Sequence, residues 1–401
     1  MSLISFSALA AFIAGSLLGV AKIRRKRSDK QLPLPPGPRE LPFIGNMHQL
    51  NSKRPWLTCM EWKKTYGDIV YLRILGQDAI VLNSQQVADD LLKNRSSNYS
   101  DRQDITPVFD AYGLWLNTAA LKRGKTWRAH RRILNQTLGS DAVTAYRPIQ
   151  LRKAQELVGE FAREPEAWWD HIRRFSTSVI LGVVYDHTPG SNAQDDPVLR
   201  TFATATEMMS KILSTQIVLL LSMFPFREYC LWLPGRRFNA ARFRERVTQL
   251  FELPLKMLED KLVTGQANHC VASHALLHFR NTDKVENFED LIKGACGLAY
   301  LGEALNVIHS NRAISHNPDK YPSPFSFSPS RFLDVDGSLL NNEPDYVFGF
   351  GRRICPGRHL AKNSLWSAIV RILAAFHVEK AHDAAGNAIE PDPEWTDGVT
   401  T

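Results

Sequence analysis

A chain of 401 residues, 44% of them apolar, can bury a large core. Its formal charge is +8, and Lys22, Arg24, Arg25, Lys26, Arg27 and Lys30 supply six positive charges in one short run, so a nucleic-acid partner is not needed to explain the excess. Five scattered cysteines, Cys59, Cys230, Cys270, Cys296 and Cys355, are odd in number and lack metal-type pairing, which argues against a disulfide framework and for reduced thiols.

Residues 1–21 carry no charge and are mostly apolar; as a helix they would span about 31 Å, enough for a bilayer core. The basic run follows at once, so the positive-inside rule leaves the rest of the chain in the cytosol. A cleaved signal peptide would place charge before the apolar run, and none is there. Residues 22–46 form a basic and proline-rich hinge, with Pro33, Pro35, Pro36, Pro38 and Pro42 fixing φ and stiffening the chain. Residues 47–401 are then one domain. Within it, residues 71–75 and 79–82, split by Gly76-Gln77-Asp78, predict a two-stranded hairpin, with a helix over 86–94 after it. From Thr126 onward helix dominates and no repeat recurs, so the fold class is mainly α with a small β lobe.

Trp127 and Arg131 stand four apart, on one face of a predicted helix. The run Ile217-Val218-Leu219-Leu220-Leu221 reads as a buried helix or as part of a pocket cover. Residues 288–302 read as an apolar helix. Finally, Phe348-Gly349-Phe350-Gly351-Arg352-Arg353-Ile354-Cys355-Pro356-Gly357 precedes a helical pattern (Arg358, Leu360, Ala361, Leu365, Ile369, Ile372). The N–H groups at that helix start favour an anionic Cys355 sulfur.

The pattern Phe-x-x-Gly-x-Arg-x-Cys-x-Gly resembles the haem-thiolate loop of the cytochromes P-450, and the resemblance runs from about Leu34 to the C-terminus. It implies that Cys355 is the axial ligand of a haem b iron and that Arg353 meets a propionate. Phe348 would keep the ligand dry, while Gly351 and Gly357 would let backbone lie against sulfur and porphyrin. Trp127 and Arg131 resemble the family's propionate-binding helix. The proline hinge resembles that of microsomal members, which implies a single-pass endoplasmic reticulum protein with a cytosolic body. The resemblance also implies insertion of one oxygen atom into a small lipophilic substrate, with electrons drawn from NADPH through a flavoprotein reductase. Residues 205–235 and 99–116 resemble segments that cover and line the substrate pocket.

One departure stands out. Residues 288–302 resemble the first half of the helix that crosses the haem, which the family continues with an acidic residue and a threonine that relay protons. Here Glu303 is followed by Ala304, Leu305 and Asn306, so no catalytic acid is assigned. The sequence resumes at Val307 in a stretch that the family places much further on. Arg331, in a segment resembling the family's Pro-x-Arg-Phe motif, should pair with a Glu-x-x-Arg helix that is missing. The only literal match, Glu160-Phe161-Ala162-Arg163, lies too early and reads as a charged helix face. The expectation is therefore a P-450 fold lacking part of the distal helix and the helices after it, with impaired monooxygenase activity. Two alternatives stay open: a reductase-independent isomerase or dehydratase of the same fold, and a non-catalytic remnant.

Overall fold

The computed structural model describes residues 33–42, 44–51, 54–74, 76–102, 110, 112–190, 196–212, 240–279, 287–301, 314–340 and 343–389. In it a small β lobe precedes a helical body. Helix α1 (Pro55–Tyr66) starts with proline at its first turn, where the missing N–H costs nothing. Strands β1 (Ile69–Ile74) and β2 (Gln77–Leu82) pair antiparallel, Ile69 opposite Leu82 and Ile74 opposite Gln77. The strands run longer than their apolar alternation suggests, and Gln77 and Asp78 lie in β2 rather than in the turn. Val70 and Leu72 alternate inward onto Trp62 of α1, forming a core of their own.

The proline-rich segment is tied to this lobe over its later residues. Tyr71 N–H donates to Pro36 O at 2.9 Å, and Asn46 exchanges two bonds with the Arg73 backbone at 2.6 and 2.8 Å. Its stiff exit therefore ends where β1 begins to hold it. Among the described residues no helix is long and apolar enough to cross a membrane. The apolar run 1–21 lies outside the described residues, as do residues 217–221.

After the hairpin, α2 (Gln85–Ala88) opens with Ser84 accepting from Val87 N–H and widens into a π-type turn over Asp89–Asn94. The body then follows as α3 (Lys125–Leu138), α4 (Arg147–Arg163), α5 (Trp168–Tyr185), α6 (Pro197–Ile212), α7 (Ala240–Val263), α8 (Val271–Phe279), α9 (Phe288–Leu301) and α10 (Arg358–Ala375). Helix α3 buries Trp127, His130, Leu134, Thr137 and Leu138, a three-and-four spacing that lays one stripe against the core. One continuous core joins α3, α4, α5, α7, α8 and α9 through Ile133, Leu157, Leu181, Val247, Leu258, Val271 and Ile292. Helix α9 lies across α3, α5 and α7, while α10 packs chiefly on α4. The described cysteines, Cys59, Cys270, Cys296 and Cys355, are all free thiols.

Candidate functional site

The cysteine loop hangs between α3 and the start of α10. Cys355 N–H donates to the carbonyl of Phe348 at 2.8 Å, which closes the loop on itself. Arg131, one turn along α3 from Trp127, donates from Nη1 to Ile354 O at 2.7 Å and so grips the residue next to Cys355. The Arg353 guanidinium lies over the Trp127 ring at 4.8 Å, a cation–π stack. Thus Trp127, Arg131, Arg353 and Cys355, two pairs far apart in sequence, meet in one place.

The two glycines of the loop have different reasons. Gly351 adopts φ +55°, and a Cβ there would overlap the carbonyl oxygen of Leu92 in the π-type turn after α2. Its neighbour on that side is protein backbone, a close approach that by itself calls for glycine. Gly357 has an ordinary φ, and a Cβ there would sit 3.9 Å from Cys355 Sγ, in normal contact. Phe348 is half-buried and serves the loop through its carbonyl. The buried aromatic beneath is Tyr346, packed with Tyr321 and Ile314.

Burial pushes the Cys355 thiol above its usual range, against the opposing pull of the Gly357 N–H and of the Arg131 and Arg358 charges. The helix start alone therefore does not make a thiolate here; a cation bonded to the sulfur would.

Around Arg353 the electrostatics are unbalanced. Its Nε donates to Ser100 O at 2.7 Å and one Nη2 bond reaches Leu121 O at 2.8 Å, but Nη1 is buried with no partner among the described residues. Its pKa is pulled down to about 10 by burial and by the charges of Arg102 and Arg131, with Asp101 opposing. Arg102, held by a bond from Nε to Ala119 O at 3.0 Å, is itself depressed by burial. Three guanidinium groups gathered beside one orphaned donor fit an anionic group such as a pair of carboxylates. On this test the residues present suit the propionate side of a haem. Arg102 was not legible in the sequence, since the polar run Ser100-Asp101-Arg102 has no spacing that ties it to Trp127 or Arg353.

His130 was missed as well. It is fully buried on α3, with Nδ1 2.6 Å from Thr118 Oγ1 and Nε2 without a partner among the described residues. Burial drives its pKa down to about 4, so it is neutral. Gly294 of α9 rests on it: a Cβ there would overlap the imidazole and stand 2.9 Å from Leu116 O. Position 130 looked like one more charge in Arg128-Ala129-His130-Arg131-Arg132.

Arg331 finds backbone in place of a carboxylate. It donates to Pro322 O at 2.8 Å, Ser323 O at 3.1 Å, Ser326 O at 2.8 Å and Ser328 O at 3.2 Å. Glu160 pairs with Arg174 at 3.1 Å and faces His171, while Arg163 turns to Gly159 O, in line with a charged helix face. The departure at residues 303–306 lies outside the described residues.

The profile of the cytochrome P450 family matches residues 35–291 and 303–399, with the match interrupted between them. A cytochrome P450 monooxygenase of Armillaria gallica is 28% identical over 485 aligned positions, covering 98% of this chain and 94% of the relative. Cytochrome P450 monooxygenase 98 of Postia placenta is 27% identical, covering 97% and 92%. Tryptamine 4-monooxygenase of Psilocybe cyanescens is 26% identical, covering 97% and 94%. The first alignment has more positions than this chain has residues, so that relative carries residues with no counterpart here.

Proposed function

Since the chain belongs to the cytochrome P450 family of monooxygenases, we propose that its site binds haem b through Cys355, for oxygen insertion into a lipophilic substrate, and that this chain does so weakly. The observation that carries the haem reading is the buried Arg353 Nη1, without a partner among the described residues, beside Arg102 and Arg131. Bound haem supplies oxygen activation, with electrons delivered from NADPH by a reductase. The chain's own residues position and neutralise. Arg353, Arg102 and Arg131 offset two propionate charges, the Trp127 ring backs Arg353, and Arg131 fixes the cysteine loop through Ile354. Phe348 O and the Gly357 N–H orient Cys355.

The weakness follows from what is absent around these groups. Support for a lost internal segment comes from the interrupted family match and from the surplus of aligned positions in the relative. Arg331, held only by carbonyls among the described residues, agrees with that reading. A ligand loop without its supporting shell holds geometry poorly. Residues 1–21 would anchor the protein in the endoplasmic reticulum membrane with its body in the cytosol.

The test is a reduced, carbon-monoxide difference spectrum of the full chain in membranes, alongside haemin titration. Low haem content and a carbonyl band of the displaced-thiolate type are expected. Haemin affinity should fall about tenfold in Arg353→Leu and in Arg102→Leu, as for loss of one charge-assisted contact. A full thiolate-type band would overturn the proposed weakness, and unchanged affinity in both variants would overturn the propionate assignment.

A further inference from the structure

Lys320 is a cation held by neutral groups. Its Nζ donates to Gln85 Oε1 of α2 at 2.6 Å and lies 5.2 Å from the Tyr321 ring centre and 5.5 Å from that of Tyr346. Among the described residues its side-chain partners are thus an amide oxygen and two aromatic faces, with no carboxylate. An ammonium within about 6 Å of a ring face is attracted to it, the more so where water is kept away. Both tyrosines are buried, and Tyr346 Oη donates to Tyr321 Oη at 3.4 Å, so the two rings and the cation form one unit.

Tyr346 leads into the cysteine loop. It stands in the turn Asp345–Phe348, whose last residue supplies the carbonyl that accepts from Cys355 N–H at 2.8 Å. Further along the loop, Gly351 abuts Leu92 O in the π-type turn after α2. Residues 85–94 therefore hold the loop at two points, one by close backbone contact and one through Lys320. Among the described residues the charges that pull on the sulfur are those of Arg131 and Arg358, so Lys320 reaches it through position alone. We propose that Lys320 is a positioning residue for the Cys355 loop: its ammonium ties the Tyr346 turn to α2 and so sets where the sulfur is presented. The role of that sulfur as a haem ligand rests on the reading above.

The thiol itself is the readout, in the full chain before haemin is added. Alkylation of Cys355 by iodoacetamide, followed by mass spectrometry of its peptide, gives a rate against pH. Burial holds the thiol up in its present position. A loosened loop should therefore titrate at lower pH and, in Lys320→Met, react about fivefold faster at neutral pH. Gln85→Leu should move the profile the same way by less, and it decides alone if Lys320→Met does not fold. Lys320→Arg keeps a cation over the rings and should restore the native profile. Val271→Ala, a core change on α8, should lower the melting temperature without moving the profile. An unchanged profile in Lys320→Met and Gln85→Leu would overturn the proposal. So would a shift that Val271→Ala reproduces, or one that Lys320→Arg fails to reverse. Haemin affinity should fall in the same order as the profiles shift. Shifted profiles with equal haemin affinity in every variant, Arg353→Leu included, would instead remove the haem reading and leave Lys320 as the residue that places the sulfur.

Discussion

Two of the three Arg353 nitrogens donate to backbone carbonyls, and the third meets no partner among the described residues, in a place where two other guanidinium groups repel it and Asp101 only partly compensates. Such an arrangement is costly unless an anion completes it, and so it carries the functional reading better than the cysteine does. His130 is the converse case, a group kept neutral by burial. Its pKa falls from 6.5 to about 4 on folding, so between those values the unfolded chain takes up a proton that the folded chain refuses. Stability contributed by this site is whole above about pH 6.5 and is lost as pH drops toward 4, on the order of 3 kcal/mol across the window. Urea midpoints measured from pH 7 to pH 4.5 should fall steeply in the native sequence and less steeply in His130→Leu. Equal slopes would mean that His130 takes its proton without unfolding.

At the scale of elements, α9 is held against its neighbours by what it lacks. Gly294 meets the His130 ring and Leu116 O, and Gly297 meets the Phe251 ring, leaving no room for a methyl at either point. Gly294→Ala should destabilise by about 1–3 kcal/mol through overpacking. Gly159→Ala on α4 should do the opposite, because a Cβ there meets nothing within 4 Å and alanine favours helix by about 0.5–1 kcal/mol. Thermal melts of both variants check the contrast in sign. The same elements show what a sequence can reveal. Periodicity identified α3 and α10, and the turn residues placed the hairpin, because those signals are local. The meeting of Arg131 with Ile354, Arg102's approach to Arg353 and the docking of Gly294 on His130 depend on how helices cross, and no spacing within one helix encodes a crossing.

For the molecule as a whole, the carbonyl-bound Arg331 and the interrupted family match would both follow from the lost segment proposed above. That economy can be tested by putting the segment back. In a chimera, the Armillaria gallica stretch would be inserted between Leu301 and Glu303, replacing Gly302 as the junction requires. If the core described here is already native, the insert adds burial without reordering it, since the α3, α5, α7 and α9 contacts are closed. Apolar surface covered by the insert contributes about 25 cal/mol per Å², most of it offset by ordering the insert. The net gain should therefore be modest, a rise of several degrees in melting temperature. Haem retention should change far more, about tenfold or beyond, if the insert restores the support to the cysteine loop that the proposal above takes to be lost. Addressing Arg331 separates the two effects. Arg331→Lys should cost the chimera its haem while altering the haem content of the native chain far less, where among the described residues the guanidinium serves only carbonyls of the 322–328 loop. A chimera that melts higher but retains no more haem would locate the defect in the cysteine loop itself, and the lost segment would then explain the interrupted match but not the site.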